Sequence, residues 1–172
     1  VDRILIVMLG TNIKGRSASQ NLPGIQDNTE SNAKMVEMEL SRIVISQTSG
    51  EQSVVLSEKN GTRSFCIEIG LFEALAIERG VRQEQFERPL THDLIWNIIN
   101  GLGATVERVV ISDLQPNQSG GGTFYGRIYI KHGGKVVEID SRPSDAMAVA
   151  AQKNPPVPIF VEESVLDQVC KF

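Results

Sequence analysis

Asp140-Ser141-Arg142-Pro143-Ser144-Asp145 places two carboxylates, a guanidinium and two hydroxyls within six residues. The stretch lies where an alternating apolar segment gives way to an Ala-rich one, so it reads as a strand-to-helix junction. The free backbone amides of a helix start attract anions such as phosphate. Arg142 has the paired donors to clamp a phosphate, Ser144 adds a hydroxyl, and Asp140 and Asp145 have the oxygens to hold a divalent cation or orient a water. The same residues also suit structural work: Ser141 or Ser144 as an N-cap, Asp145 favoured by the helix dipole, Asp140 neutralised by Arg127.

Arg88-Pro89-Leu90-Thr91-His92-Asp93 stands before an amphipathic stretch. His92 beside Asp93 has the chemistry of a general base, with Arg88 as a further cation for a phosphate. The alternative is capping, with Thr91 as N-cap and Asp93 in the first turn. His132 flanks a Gly-Gly turn and reads as solvated.

A third group comes from a hairpin. If Gly133-Gly134 forms a two-residue turn, the cross-strand pairs are Ile130 with Val137 and Ile128 with Ile139 on an apolar face. Lys131 with Val136, Tyr129 with Glu138, Arg127 with Asp140 and Tyr125 with Arg142 then occupy the other face. Tyr125, Arg127, Tyr129 and Lys131 at period 2 offer stacking surfaces and cations to a strand of nucleic acid. A solvated face with cross-strand ion pairs is the alternative.

The elements that must position these groups recur along the chain. Ser41-Arg42-Ile43-Val44-Ile45-Ser46 returns as Glu107-Arg108-Val109-Val110-Ile111-Ser112 at an offset of 66, and Glu73-Ala74-Leu75-Ala76-Ile77 returns as Asp145-Ala146-Met147-Ala148-Val149 at an offset of 72. Two fused copies of one unit, in a single domain, explain both echoes. The six-residue difference falls in the Gln115 to Gly122 loop. In the first copy Asn60-Gly61 sets a hairpin with Val54 opposite Ile67, Leu56 opposite Phe65 and Ser53 opposite Glu68. A helix over 71–79 follows, with Gly80 as its end cap, and the second copy ends in a helix over 143–153. Leu94, Ile95, Ile98, Ile99 and Leu102 mark a linking helix over 91–103 between the copies. Strand 157–161 and helix 162–169 close the chain. The order βββα, α, βββα, βα predicts an α+β domain with mainly antiparallel sheet.

The 172 residues carry a net charge of -4, and from Met35 onward 13 basic residues face 18 acidic ones. Nucleic-acid binding therefore needs a local patch. Cys66 and Cys170 form no CxxC and read as reduced core thiols. Ile4 to Leu9 is too short an apolar run to span a bilayer or serve as a signal peptide; a cytoplasmic location is expected. Residues 1–34 read as a disordered extension, with the working domain, 35–172, starting at Met35. No HxxxH, CxxC, GxxxxGK[ST] or GxSxG pattern supports structural zinc, a nucleotide triphosphate loop or a nucleophile elbow.

Arg88-Pro89-Leu90-Thr91-His92-Asp93-Leu94, Gly122-Thr123-Phe124-Tyr125 and Asp140-Ser141-Arg142-Pro143-Ser144-Asp145-Ala146-Met147-Ala148 together resemble the bifunctional nuclease domain family, over roughly residues 36–169. The resemblance implies a small, self-associating α+β domain that cleaves phosphodiester bonds in DNA or RNA, or binds single- or double-stranded nucleic acid. Cys66 departs from the aromatic residue expected in the corresponding strand. The mechanism to test is hydrolysis with Mg2+ or Mn2+ held by Asp140, Asp145, Glu73 and Glu68, Arg142 on the phosphate and His92 moving protons, without an organic cofactor. The competing expectation is a non-catalytic module that binds nucleic acid, another anion or a partner protein.

Overall fold

A computed structural model of the chain describes residues 4–8, 34–46, 50–118 and 120–170. Alternation decides the strands. In β3 (Gln52–Glu58) Val54 and Leu56 are fully buried while Ser53, Val55 and Ser57 are half-exposed, the period-2 signature of a sheet covered on one face. β3 pairs with β2 (Met35–Ser46) and with β4 (Ser64–Ile69), both antiparallel, with Val54 opposite Ile67 and Leu56 opposite Phe65 as the sequence requires. The turn between β3 and β4 is wider than two residues. The Glu58 carboxylate accepts hydrogen bonds from the amides of Thr62 and Arg63, and it occupies the space into which a side chain at Gly61 would project.

β5 (Thr105–Pro116), β6 (Gly122–His132) and β7 (Lys135–Ser141) form a second antiparallel meander. Gly133 and Gly134 take φ of 57° and 78° and make the tight turn that fixes Ile130 opposite Val137 and Arg127 opposite Asp140. β8 (Ile159–Glu162) enters between the meanders, antiparallel to β2 and parallel to β5. The sheet order is β4-β3-β2-β8-β5-β6-β7, and β1 (Ile4–Met8) also pairs with β2. Of the segment 1–34 expected to lack order, Ile4–Met8 is thus a strand; residues 1–3 and 9–33 lie outside the described residues.

Four helices complete a mixed α+β fold: α1 (Leu71–Arg82), α2 (Thr91–Gly101), α3 (Pro143–Ala151) and α4 (Glu163–Val169). α1 and α3 run side by side in the same direction. Their starts are joined by Arg142 and Glu73, and their ends meet where a Cβ at Gly80 would stand 2.9 Å from the Ala151 Cβ. Gly80 therefore does not end α1, as expected from sequence. It lies inside the helix at the contact with α3, and Gln83, at φ 54°, caps the end. α3 is almost wholly buried, and α1 contributes Ala74, Ala76 and Ile77 to the same core.

Three further expectations are corrected. Val137 and Ile139 are 46% and 42% exposed, because β7 is an edge strand while α3 covers β5 and β6. Cys66 is exposed on the outer face of β4, since Phe65 and Ile67 take the inward positions, and both cysteines are free. The pairing of β6 with β7 ends at Gly126 and Ser141, so Tyr125 does not face Arg142, which has already turned into the N-cap of α3.

Candidate functional site

Three helix starts supply one cluster. Glu73 is the third residue of α1, Asp145 the third of α3 and His92 the second of α2. Acids in the first turn offset the positive end of the helix dipole, which the parallel α1 and α3 bring close together. Between the two acids lies Arg142. Its Nε and Nη2 donate to both carboxylate oxygens of Asp145 at 2.7 and 3.0 Å, and Nη2 also donates to Glu73 Oε1 at 2.7 Å. Asp145 first and Glu73 second hold the guanidinium pKa above its ordinary value. Nη1 has no partner among the described residues, and the Arg142 side chain is 66% exposed. The two acids thus fix the plane of the guanidinium and leave one nitrogen facing outward. His92 Nε2 stands 3.8 Å from Asp145 Oδ1.

Arg142 also borders a groove of about 410 Å³ between the two meanders. One wall is the end of β4 with Gly70 (Ile67, Glu68, Ile69), the other the start of β6 (Gly122, Thr123, Phe124), and the start of α3 closes it with Pro143 and Ser144. Gly126 allows this closure, because a Cβ there would stand 3.0 Å from the Pro143 backbone. Ser144 is only 7% exposed, and its hydroxyl makes no hydrogen bond to a described residue. Its amide and that of Asp145 are unpaired first-turn donors. α3 has no side-chain N-cap bond, so neither Ser141 nor Ser144 caps it.

The remaining expected residues lie elsewhere. Asp93 accepts from the Leu90 amide at 2.9 Å, so it caps α2, with Leu90 rather than Thr91 at the N-cap position. Arg88 is exposed in the preceding loop. Asp140 sits on β7 opposite Arg127, away from the groove lining, whereas Glu68 is part of it. Tyr125, Arg127, Tyr129 and Lys131 occupy the face of β6 opposite Gly126 and Ile128, hence opposite α3 and its Arg142. On that face Arg127 pairs with Glu138 at 2.7 Å, and the Arg108 guanidinium covers the Tyr129 ring at 4.1 Å. Burial, then the Glu138 hydrogen bond, raises the Tyr129 pKa. Sequence reasoning assigned no role to Arg108 or to the groove walls Ile67 and Ile69, which carry only ordinary strand periodicity, and it met Phe124 only within the family motif Gly122-Thr123-Phe124-Tyr125.

Among the described residues no three His, Cys, Asp or Glu side chains group so as to ligate a metal ion. Glu73 and Asp145 direct their oxygens at Arg142, so the donor set as arranged does not fit a preformed divalent-cation centre. The described helices also include none long and apolar enough to cross a membrane.

Three helix starts of a mixed α+β fold thus gather around one arginine held by two carboxylates. The model of the family described as "Bifunctional nuclease domain" matches residues 54–171, and the chain belongs to that family. Two relatives from Mycobacterium tuberculosis, the uncharacterized proteins MT1877 of strain CDC 1551 / Oshkosh and Rv1829 of strain ATCC 25618 / H37Rv, are each 38% identical over 134 residues, covering 78% of this chain and 76% of the relative.

Proposed function

We propose that this chain is a nuclease that binds a phosphodiester of DNA or RNA at the start of α3 and hydrolyses it there. The observation that carries the reading is Arg142, aligned by Asp145 and Glu73 with Nη1 left without a partner on an exposed side chain, in a chain of this family. In this mechanism Nη1 and the amides of Ser144 and Asp145 bind the non-bridging phosphate oxygens and stabilise the charge that grows on them as water attacks. His92, beside Asp145, accepts the water proton. Asp145 and Glu73 act as positioning residues. We assign the work to a cytoplasmic, self-associating protein; the exposed residues Leu94, Ile98 and Leu102 along α2 support self-association. The matched positions Glu73 and Asp145 support descent of the two βββα runs from one unit.

Cleavage of labelled single- and double-stranded DNA and RNA, in Mg2+, Mn2+ or EDTA, tests the proposal against Arg142→Ala, Asp145→Asn and His92→Ala. Cleavage that follows the variants upholds it, and cleavage indifferent to them belongs to a contaminant. EDTA-sensitive cleavage brings back a cation on Glu73 and Asp145. A second reading is a binding module without turnover, supported by Glu73 and Asp145 both being engaged by Arg142. Oligonucleotide binding that needs Arg142, with no cleavage under any condition, selects it.

A further inference from the structure

We infer that the groove between β4 and β6 is a pocket for a single unpaired nucleotide, its base between the apolar walls and its phosphate on Arg142 and Ser144. The inference rests on the phosphodiester reading of Arg142 and adds the form in which the substrate is taken. About 410 Å³ lies within the usual range for small-molecule sites and suits one nucleotide rather than a duplex. Ile67, Ile69 and Pro143 give it apolar walls, and Phe124 presents a ring with Phe65 stacked behind it at 5.8 Å. An aromatic ring among aliphatic side chains receives a base by its faces, which a paired and stacked base cannot offer.

The polar groups sit at one end. Ser144 is more than nine-tenths buried as a residue, yet its hydroxyl has no partner and is not shut off from the groove, and the unpaired amides of Ser144 and Asp145 lie beside it. A ligand oxygen in the groove can therefore reach it. Arg142 Nη1 completes the donor set. The strip Tyr125, Arg127, Tyr129 and Lys131 is on the other side of the sheet and takes no part.

Calorimetry on the full chain with adenosine monophosphate, adenosine and inorganic phosphate separates the contributions. The monophosphate is expected to bind at least tenfold more tightly than either fragment, and a single-stranded oligonucleotide about tenfold more tightly than its duplex. Phe124→Leu, which removes the ring and keeps an apolar side chain, is expected to weaken monophosphate binding about tenfold and keep phosphate binding; Ser144→Ala weakens both monophosphate and phosphate. Equal affinity for monophosphate and phosphate, equal affinity for single strand and duplex, or unchanged monophosphate binding by Phe124→Leu overturns the pocket while leaving the Arg142 site standing. Phosphate binding untouched by Arg142→Ala overturns the underlying site as well. The ligand comparisons on the unsubstituted protein decide the matter even if a variant fails to fold.

Discussion

α1 begins Gly70-Leu71-Phe72-Glu73 and α3 begins Arg142-Pro143-Ser144-Asp145, and in both the third helical residue is an acid. The difference lies before it. Gly70 leaves room over its Cα, where Glu73 Oε2 lies only 2.1 Å from where a Cβ would stand, so the carboxylate folds back toward the groove and reaches Arg142. At the matching position α3 carries Arg142 itself. The next contrast is as sharp: Phe72 is 80% exposed, whereas Ser144 is 7% exposed and lines the groove. One helix start offers a carboxylate and the other a cation beside a serine that lines the groove. In the proposed nuclease reading the first helix start orients Arg142 and the second binds the phosphate.

The largest test of that division is Arg142→Ala, expected to lower cleavage by about 10²- to 10³-fold, the usual loss for one donor to the transition-state oxyanion. Thermal unfolding should change little, because the side chain is two-thirds exposed. His92→Ala should cost about 10²-fold as the loss of the group that accepts the water proton. An unchanged rate would reduce His92 to a neighbour of Asp145. Gly70→Ala acts on the orienting half. Its φ of -71° suits alanine, but the new Cβ would stand 2.1 Å from Glu73 Oε2 and moves that carboxylate away from Arg142, and alanine is a poorer N-cap than glycine, so folding stability should fall slightly. Cleavage should then fall by roughly tenfold, a misplacement effect smaller than loss of the arginine. Activity preserved in Gly70→Ala would show that Asp145 alone aligns Arg142.

What was legible in the sequence follows the same boundary between local and distant. The hairpin registers could be read from Asn60-Gly61 and Gly133-Gly134, because a turn fixes its own pairing. Arg142 and Asp145 stood out because they are three residues apart at a junction. Gly80 misled, since a glycine ending a helix and a glycine admitting a neighbouring helix look alike until Ala151 is in place. The Tyr125 to Lys131 strip had the right alternation, but which side of β6 faces α3 depends on how the helix packs, and the packing turned the strip away from Arg142. The groove was invisible for a further reason. Its walls, Ile67 to Gly70 and Gly122 to Phe124, are more than fifty residues apart and meet only when the whole sheet has formed.

The sharpest contrast away from the site is between neighbours, Glu162 and Glu163, at the junction of β8 and α4. Burial is the main reason the Glu162 pKa is raised, with Asp113 and Glu138 adding to it against Arg127. Hydrogen bonding to Arg63, at 2.8 Å, is the main reason the Glu163 pKa is lowered. A group with a lowered folded pKa stabilises above its unfolded value near 4.5, and that contribution is lost as pH falls through the folded one. A group with a raised pKa stabilises below the unfolded value, and that contribution is lost as pH rises through the folded one. Glu163→Gln should therefore lower the melting temperature at neutral pH, with the deficit closing below about pH 4.5. Glu162→Gln should raise it at neutral pH, with the benefit shrinking on acidification. Melting curves of both variants across pH 3 to 8 check the pair, and shifts of the same sign would mean that one of the two carboxylates has a different partner in solution.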